Sequence, residues 1–572
     1  MSEDLAALEA FGLAVVLAAR GHVGEAARHY RHALTLDPAF GAARYNLANL
    51  YQAAGLLDEA EPQYRAIPAS DPHFVAAACN LGALLAHRGR LGEAAESYAA
   101  ALAVNAELVP ARYGYARTLL LMRQPAEAAV EFRKLLRLQP GNLSAREGLG
   151  LALERLGRCE EAIEHLLSVS AARPEDANVI AGLGGVLARL GRYAEAERSL
   201  RRALDLEPER PRHHAGLGAF LHAQGRLGEA LVAYRGAVAL NPRDAELRCQ
   251  LAAVQLARSD FVEGWANLES RLERTDSVLT FIPTDKPVWS GCDPAGRTLV
   301  LYPERGLGEA ILSARFVSVI TQKGATVVVA APPELLPLLS SLQGVQAFTT
   351  LEGPWPAHHE HAPFLSLPHR LGITERTIPA DVPYLAADAG RVAWWGKRLG
   401  NRTGRRVGIV WQSDQTSSPH RDGSIPLSIL ARLAEVPDVT LYSLQRGAGR
   451  QQLAALKGEG QVVDLCADFD DEGAAWHEIA AVMMHLDLVI AVDGTQAHLA
   501  GALGVPVWVL LDFASGWPWP LGHTDSPWYP TARLLHQSVP GQWETVMTEA
   551  VGLLVGGTDA RDQGPSRSPL IR

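Results

Sequence analysis

The chain has little of what would tie it to a membrane, an oxidising compartment or a nucleic acid. Cysteine occurs five times in 572 residues, at positions 79, 159, 249, 292 and 466. The scatter has no metal-type spacing and reads as the reduced thiols of a cytoplasmic protein. No apolar run reaches the roughly 20 residues that span a bilayer. The opening Met1-Ser2-Glu3-Asp4 is acidic and lacks a signal-peptide pattern. Positive charge is in the minority, with 53 Lys and Arg against 63 Asp and Glu, a net charge of −10. That balance argues against a nucleic-acid partner. The segment 556–572 is rich in Gly, Ser, Pro, Asp and Arg and predicts a disordered tail. The length suits three or four domains.

What the chain does have is a beat. Glu-Ala pairs begin at 25, 59, 93, 127, 161, 195 and 229, each 34 residues after the last. A Pro stands twelve positions after each paired Ala, at 38, 72, 140, 174, 208 and 242; Ala106 is the exception. A small residue stands twelve positions before it: Ala14, Ala48, Gly82, Ala116, Gly150, Gly184 and Gly218. Two helices approach closely only where side chains are small, so these positions predict a helix–helix contact. The intervening Gly at 21, 55, 89, 157, 191 and 225 suits the positive φ of a helix stop. Arg123 breaks that rule, with Pro125 nearby to supply the turn. The closing Pro ends the second helix.

This pattern resembles the tetratricopeptide repeat rather than a generic helical bundle, with seven units over 5–242. A degenerate capping repeat and linker follow over 243–290, where Gly264 takes the paired-Ala position and Trp265 follows it. Such arrays form an α-solenoid, a superhelix whose concave surface holds a protein partner. In O-linked N-acetylglucosamine transferases a ladder of Asn in that groove clamps extended peptides. Here the ladder position reads Gly12, Asn46, Asn80, Gly114, Gly148, Gly182 and Gly216. Only Asn46 and Asn80 remain as candidate partner-binding amides. The groove is therefore expected to take a folded or helical partner, or to read shape and charge.

After about residue 290 the periodicity changes. Strand-like runs at 297–302 and 325–330 flank a Gly loop and a helix over 310–322, with a further helix over 333–342. A second such region starts at 406, and further strands fit 439–444, 462–465, 488–492 and 505–511. This predicts an α/β module of two Rossmann-like lobes, 291–388 and 389–555, with a connector near 385–405 and a ligand cleft at the strand ends. The sharpest local signal is the apolar strand ending in Asp493-Gly494-Thr495, followed by a small-residue helix. Free N–H groups at that helix start favour an anion such as a diphosphate. Thr495 offers a hydroxyl, and His498 on the first turn offers a donor. Asp493 repels phosphate and is assigned to anchoring the turn or holding ligand hydroxyls. The competing reading is an N-cap Asp and a structural His.

Four stretches carry a second resemblance. They are Glu304-Arg305-Gly306-Leu307-Gly308-Glu309; Val407-Gly408-Ile409-Val410-Trp411 with Ser424-Ile425-Pro426-Leu427; the turn at 493–498; and Trp517-Pro518-Trp519-Pro520 continuing to Asp525-Ser526-Pro527-Trp528-Tyr529-Pro530. Together they resemble glycosyltransferases of the heptosyltransferase type, in the GT-B fold, and in particular versions fused to tetratricopeptide arrays. Ser443-Leu444-Gln445 also matches a family strand end. The resemblance implies a nucleotide-sugar as co-substrate, no metal and no other cofactor, and inversion at the anomeric carbon. It places the donor at Trp411, Arg421, Gln445, Asp493, Gly494, Thr495 and His498. The acceptor faces Gly306 and Gly308. A carboxylate at that loop, Glu309 with Glu304 in reserve, serves as general base. Three departures stand out: Glu309 replaces the family's Asp, Gly423 replaces a basic residue with Arg421 two positions back, and Gly494 interrupts an Asp-Thr pair.

Other clusters are set aside. His358-His359-Glu360-His361 is read as a loop and not a metal site, because adjacent side chains diverge. The acidic 468–472 stretch has no EF-hand spacing. Gly306-Leu307-Gly308 lacks the dinucleotide fingerprint, which disfavours NAD. The aromatic group Trp517, Trp519, Trp528 and Tyr529 either stacks on a ligand or buries a return segment. The expected function is transfer of a sugar to a protein Ser or Thr hydroxyl, with the repeats recruiting the acceptor. Resemblance to repeat-containing flagellin glycosyltransferases, whose donor is a nonulosonic acid on CMP, makes flagellin the candidate acceptor. The alternatives are transfer to a lipid-linked or polysaccharide acceptor, which the lack of a basic amphipathic patch disfavours, and a scaffold with a degenerate transferase half.

Overall fold

The computed structural model describes residues 2–274, 282, 284–304, 306–400, 403–413, 424–456, 462–465 and 475–556. Arg305, Arg421, Gly423, Cys466, the 468–472 stretch and the tail from 557 lie outside the described residues. The chain divides into two compact units, Met1–Pro208 and Glu209–Arg572.

The first unit is a run of helical hairpins, from Ser2–Ala19 with Val23–Leu36 to Ala177–Arg189 with Tyr193–Leu206. The Glu-Ala beat now has a physical reading. Ala26, Ala60, Ala94, Ala128, Ala162 and Ala196 are all fully buried. The small residue opposite is required: a Cβ on Gly150 would come within 2.8 Å of Leu166, and one on Gly184 within 2.9 Å of Leu200. The Glu faces outward and pairs with the Arg three positions before it, at Arg90–Glu93, Arg158–Glu161 and Arg192–Glu195. Exposed pairs of this kind contribute about 0–1 kcal/mol, so the buried Ala holds the hairpin and the Glu only dresses its surface.

The predicted helix-stop glycines all have left-handed backbone, from Gly21 at φ 80° to Gly225 at φ 67°. Arg123 occupies the same turn at φ 59°. A residue with a Cβ pays about 1–2 kcal/mol there, partly offset by its lower freedom when unfolded. Arg123→Gly is therefore expected to stabilise the first unit by about 0.5–1 kcal/mol, read as a raised midpoint in urea with an unchanged slope. An equal or lower midpoint would show that Arg123 makes compensating contacts.

Two of the groove glycines have a packing cause. A Cβ on Gly114 would meet the Tyr98 ring at 2.4 Å, and one on Gly148 the Phe132 ring at 2.3 Å. The rings fill the space that a ladder Asn would need. The two remaining amides are engaged within the array. Asn80 donates to Asn49 Oδ1 at 2.8 Å and to the Tyr64 hydroxyl at 3.4 Å, and Asn46 bonds Tyr30.

The second unit opens with two further hairpins, Pro211–Ala223 with Leu227–Leu240 and Ala245–Ala257 with Phe261–Leu268. The last is the degenerate repeat: a Cβ on Gly264 would lie 2.7 Å from Leu256, and its turn is made by Ser259 at φ 62°. Two parallel sheets follow. In the first, β1 (Thr298–Tyr302), β2 (Thr326–Ala330), β3 (Val345–Thr349) and β4 (Glu360–Pro363) lie in the order β3-β2-β1-β4. In the second, β5 (Arg405–Val410), β6 (Val439–Ser443), β7 (Val462–Asp464), β8 (Leu488–Val492), β9 (Val507–Leu511) and β10 (Ala532–His536) lie in the order β10-β9-β8-β5-β6-β7. Strands β8 and β9 are buried at every position, as expected of parallel strands covered on both faces.

Strands β3, β4 and β10 escaped the sequence reading. The 358–361 stretch, read as a loop, contributes Glu360 and His361 to β4 because the strand pairs with β1 through tertiary contact. Its histidines serve separate partners. His358 meets the Thr284 hydroxyl at 2.9 Å, His359 accepts from the Thr298 amide at 2.9 Å, and His361 lies 3.3 Å from the Tyr302 hydroxyl. The helix expected over 333–342 is confined to Leu336–Leu339. The connector carries its own helix, Ala389–Leu399, pinned by a hydrogen bond from buried Trp395 to Glu478 at 2.6 Å.

Candidate functional site

Both sheets have a point where the chain reverses its direction of travel. In the first, β2 and β3 extend from one edge of β1 and β4 is added on the other. In the second, β6 and β7 extend from one edge of β5 and β8 to β10 are added on the other. Loops leaving such neighbouring strands diverge and leave a crevice at the carboxyl ends. The loop after β1 carries Glu304 and Gly306 and runs into a helix start bearing Gly308; the loops after β5 and β8 carry Ser413 and Asp493-Gly494, the latter running into a helix start at Thr495. The two glycine-bearing turns picked from sequence thus leave their sheets at these reversal points.

The turns also meet. Each opens a helix, Leu307–Gln322 in one case and Thr495–Ala502 in the other. A Cβ on Gly308 would lie 3.0 Å from His498 Cδ2 and 3.5 Å from Thr495 Cα. Two helix starts therefore abut at Gly308. Glu309 sits in the first turn of the first helix, half-buried. On the second turn, Asp493 accepts a hydrogen bond from Trp519 Nε1 at 2.7 Å, which supplies the turn-anchoring half of the role expected of it. A Cβ on Gly494 would lie 3.5 Å from Ser413 Oγ, so the β5 and β8 loops share this edge.

Several expected ligand contacts are occupied internally. Glu304 is buried and accepts from Arg271 Nε at 2.6 Å. Arg271 also donates to Glu269 at 2.8 Å and to Ser366 Oγ at 2.9 Å. The reserve base is thus the counter-ion of the arginine that ends the repeats. Its Oε2 has no hydrogen-bond partner among the described residues. Burial pushes its carboxyl up to about 7 against the pull of Arg271, with Glu309 adding to the push. Trp411 is fully buried and donates to the Gly449 carbonyl at 3.1 Å. Gln445 accepts from the Trp411 and Gln412 amides at 2.9 and 2.8 Å and donates to the Gln412 and Arg446 carbonyls. These two side chains splice the ends of β5 and β6. Thr495 is buried, and His498 is stacked on Trp519 at 4.9 Å with Nδ1 3.1 Å from the Tyr529 hydroxyl. Burial, then the Arg315 charge, lowers the His498 pKa to about 3. Its ring is neutral at any working pH and offers phosphate no positive charge. The donor to phosphate expected of His498 is therefore a neutral ring.

Two residues of the site carried only weak sequence signals. Arg446 directly follows Gln445, at the carboxyl end of β6, with its guanidinium 5.3 Å over the Trp476 ring. Arg315 lies on the Leu307–Gln322 helix and is buried among three aromatic rings. The aromatic group at 517–529 is structural in this arrangement. Trp528 packs edge-on to Trp265 at 6.4 Å and Trp517 edge-on to Trp265 at 5.1 Å. It seats the last repeat on the α/β module, and a Cβ on Gly225 in the preceding repeat would lie 3.1 Å from Leu521.

The pattern of the tetratricopeptide repeat matches residues 17–84, 113–177 and 182–245. The N-terminal part is a tetratricopeptide-repeat array. Such repeats generally bind proteins. Among curated proteins, the chain is similar to Protein FlbA of Caulobacter vibrioides, 28% identical over 330 residues, which are 52% of this chain and 54% of that protein. The chain thus spans about half the length of the curated relative it matches. Among solved structures, a thermophilic tetratricopeptide-repeat protein of Thermus thermophilus is 30% identical, covers 32% of this chain and 99% of its own, and superposes with a TM-score of 0.30. A tetratricopeptide-repeat protein from Parabacteroides merdae is 18% identical, covers 43% of this chain and 98% of its own, with a TM-score of 0.37. Among the described residues, no helix is long and apolar enough to cross a membrane.

Proposed function

We propose that the α/β module is a GT-B-type glycosyltransferase that moves a sugar from a nucleotide-sugar to a protein hydroxyl, and that the repeats recruit the protein acceptor. The observation that carries the reading is the meeting of the two helix starts at Gly308, one bearing Glu309 and the other following Asp493-Gly494-Thr495. One start supplies a carboxylate to take the proton from an acceptor hydroxyl. The other supplies backbone N–H groups for the charge that grows on a leaving diphosphate. Arg446, at the carboxyl end of β6, is a cation that supports the same charge. Flagellin is the acceptor suggested by the motif resemblance, and the sugar remains open to the donor panel below.

A thermal-shift panel with UDP-, GDP-, ADP- and CMP-sugars tests the donor half. One donor at 100 times its Kd is expected to stabilise the protein by about 2.7 kcal/mol, and Asp493→Ala is expected to abolish most of that shift. No stabilisation by any donor would sink the transferase reading. The second reading, a binding scaffold with a degenerate module, draws on the internal use of Glu304, Trp411 and Gln445; it predicts that silent panel.

A further inference from the structure

Arg315 is a buried cation with no acidic partner among the described residues. Its Nε donates to the Leu312 carbonyl at 2.9 Å, Nη1 to the Pro379 and Trp528 carbonyls at 3.1 and 2.5 Å, and Nη2 to the Tyr384 hydroxyl at 3.2 Å. Tyr529 is a further hydroxyl partner. The guanidinium lies 4.5 Å from the Tyr529 ring centroid, 4.8 Å from Tyr384 and 5.5 Å from Trp528. Burying a charge without a counter-ion is costly. Neutral dipoles and ring faces carry it here, and their arrangement has a directional result.

The hydroxyl protons can be traced. Tyr384 accepts from Arg315 and donates to the Ile311 carbonyl at 3.0 Å. Tyr529 stands between Tyr384 at 3.4 Å and His498 Nδ1 at 3.1 Å. The nearby guanidinium makes the Tyr529 hydroxyl a stronger donor and disfavours a ring proton on the side that faces the cation. The Tyr529 proton then goes to the shorter contact, and Nδ1 is the acceptor. A neutral imidazole with an accepting Nδ1 carries its proton on Nε2. The Cδ2 atom bonded to Nε2 is the part of the ring that lies against Gly308.

We propose that Arg315, acting through Tyr529, is a positioning residue that holds His498 as the neutral Nε2–H tautomer, a fixed hydrogen-bond donor where the two glycine turns meet. His498 is then neither a general base nor a cation. Its chemistry suits an oxygen of the bound ligand, either a phosphate oxygen or a sugar hydroxyl. That last use rests on the proposed transferase reading; the tautomer lock does not.

The test is ¹⁵N NMR of the full chain with labelled histidine, with His498 assigned by loss of its signals in His498→Gln. In the wild type, Nδ1 is expected in the unprotonated range and Nε2 in the protonated range, unchanged between pH 5 and pH 8. In Tyr529→Phe both nitrogens are expected to move to intermediate, tautomer-averaged positions. A melting curve of that variant verifies that the ring's surroundings are still folded. If Tyr529→Phe does not fold, the wild-type spectrum still decides. A wild-type Nδ1–H ring, a ring that titrates in this window, or an unaltered tautomer in folded Tyr529→Phe would overturn the proposal. A silent donor panel with the lock intact would count against the transferase reading alone.

Discussion

Replacing Glu309 by Ala is expected to slow sugar transfer by about 10²- to 10⁴-fold, the usual contribution of a positioned general base. Donor-induced stabilisation should persist, because the proposed donor turn, Asp493-Gly494-Thr495, opens a different helix. Glu309→Gln should be as slow as Glu309→Ala, since the amide keeps the shape and loses the basic lone pair. Glu304→Gln should behave differently. Glu304 is tied to Arg271 at 2.6 Å and is 3% exposed, so its loss should appear in stability before it appears in chemistry. Mass spectrometry of a co-expressed acceptor, with each variant's melting curve beside it, separates the two carboxylates. Unchanged acceptor modification in Glu309→Ala would remove it as the base.

Arg271→Ala is expected to destabilise the second unit by about 3–5 kcal/mol, the cost of stranding one partner of a buried ion pair. Arg271 and Glu304 are both almost fully buried, and Arg271 also holds Glu269, which in turn holds Arg370 at 2.9 Å. One substitution therefore loosens the joint between the last repeat and the first sheet. The pH dependence has a definite sign. The Glu304 pKa is raised in the folded state to about 7, above the ordinary 4.5. The folded chain holds that proton more tightly than the unfolded one, so this group's contribution falls as pH rises from about 4.5 to about 7. Removing Arg271 removes the main influence favouring the charged form, so the variant should lose more stability at pH 8 than at pH 5. Arg271→Leu with Glu304→Leu should recover much of the loss, because no charge is then stranded. Denaturant midpoints at the two pH values check both statements; equal losses at pH 5 and pH 8 would show that Glu304 keeps its charge throughout.

The repeats were legible because their information is local. Each Ala that packs and each Gly that turns recurs 34 residues on, so one unit predicts the next. Even the apparent irregularity at Arg123 obeys the same backbone, at φ 59°. Strands β8 and β9 were legible for a related reason: buried parallel strands are apolar throughout and stand out against their helices, and β5 and β6 show the same signal in their buried carboxyl-terminal parts. Strand β4 was not, since Glu360-His361-Ala362-Pro363 has no strand-like composition and becomes one only by pairing with β1.

The site shows the same division. Its turns were visible because glycine between an apolar strand and a helix is a short-range pattern, and Gly308 and Gly494 can be picked out one loop at a time. What each polar side chain does there was not visible. Glu304 faces an arginine 33 residues before it, Gln445 splices a strand 34 residues before it, and His498 answers to a tyrosine 31 residues on and, through it, to an arginine 183 residues back. Partners of that kind are chosen by which strands lie side by side. By itself, the sequence determined the repeat array, the two α/β lobes and the loops that approach one another, because period, hydropathy and glycine placement act over a few residues. Only the tertiary structure decided which carboxylate is tied to Arg271 and which side chains the His498 ring meets, because burial and hydrogen bonding are properties of neighbours that the chain brings together from far apart.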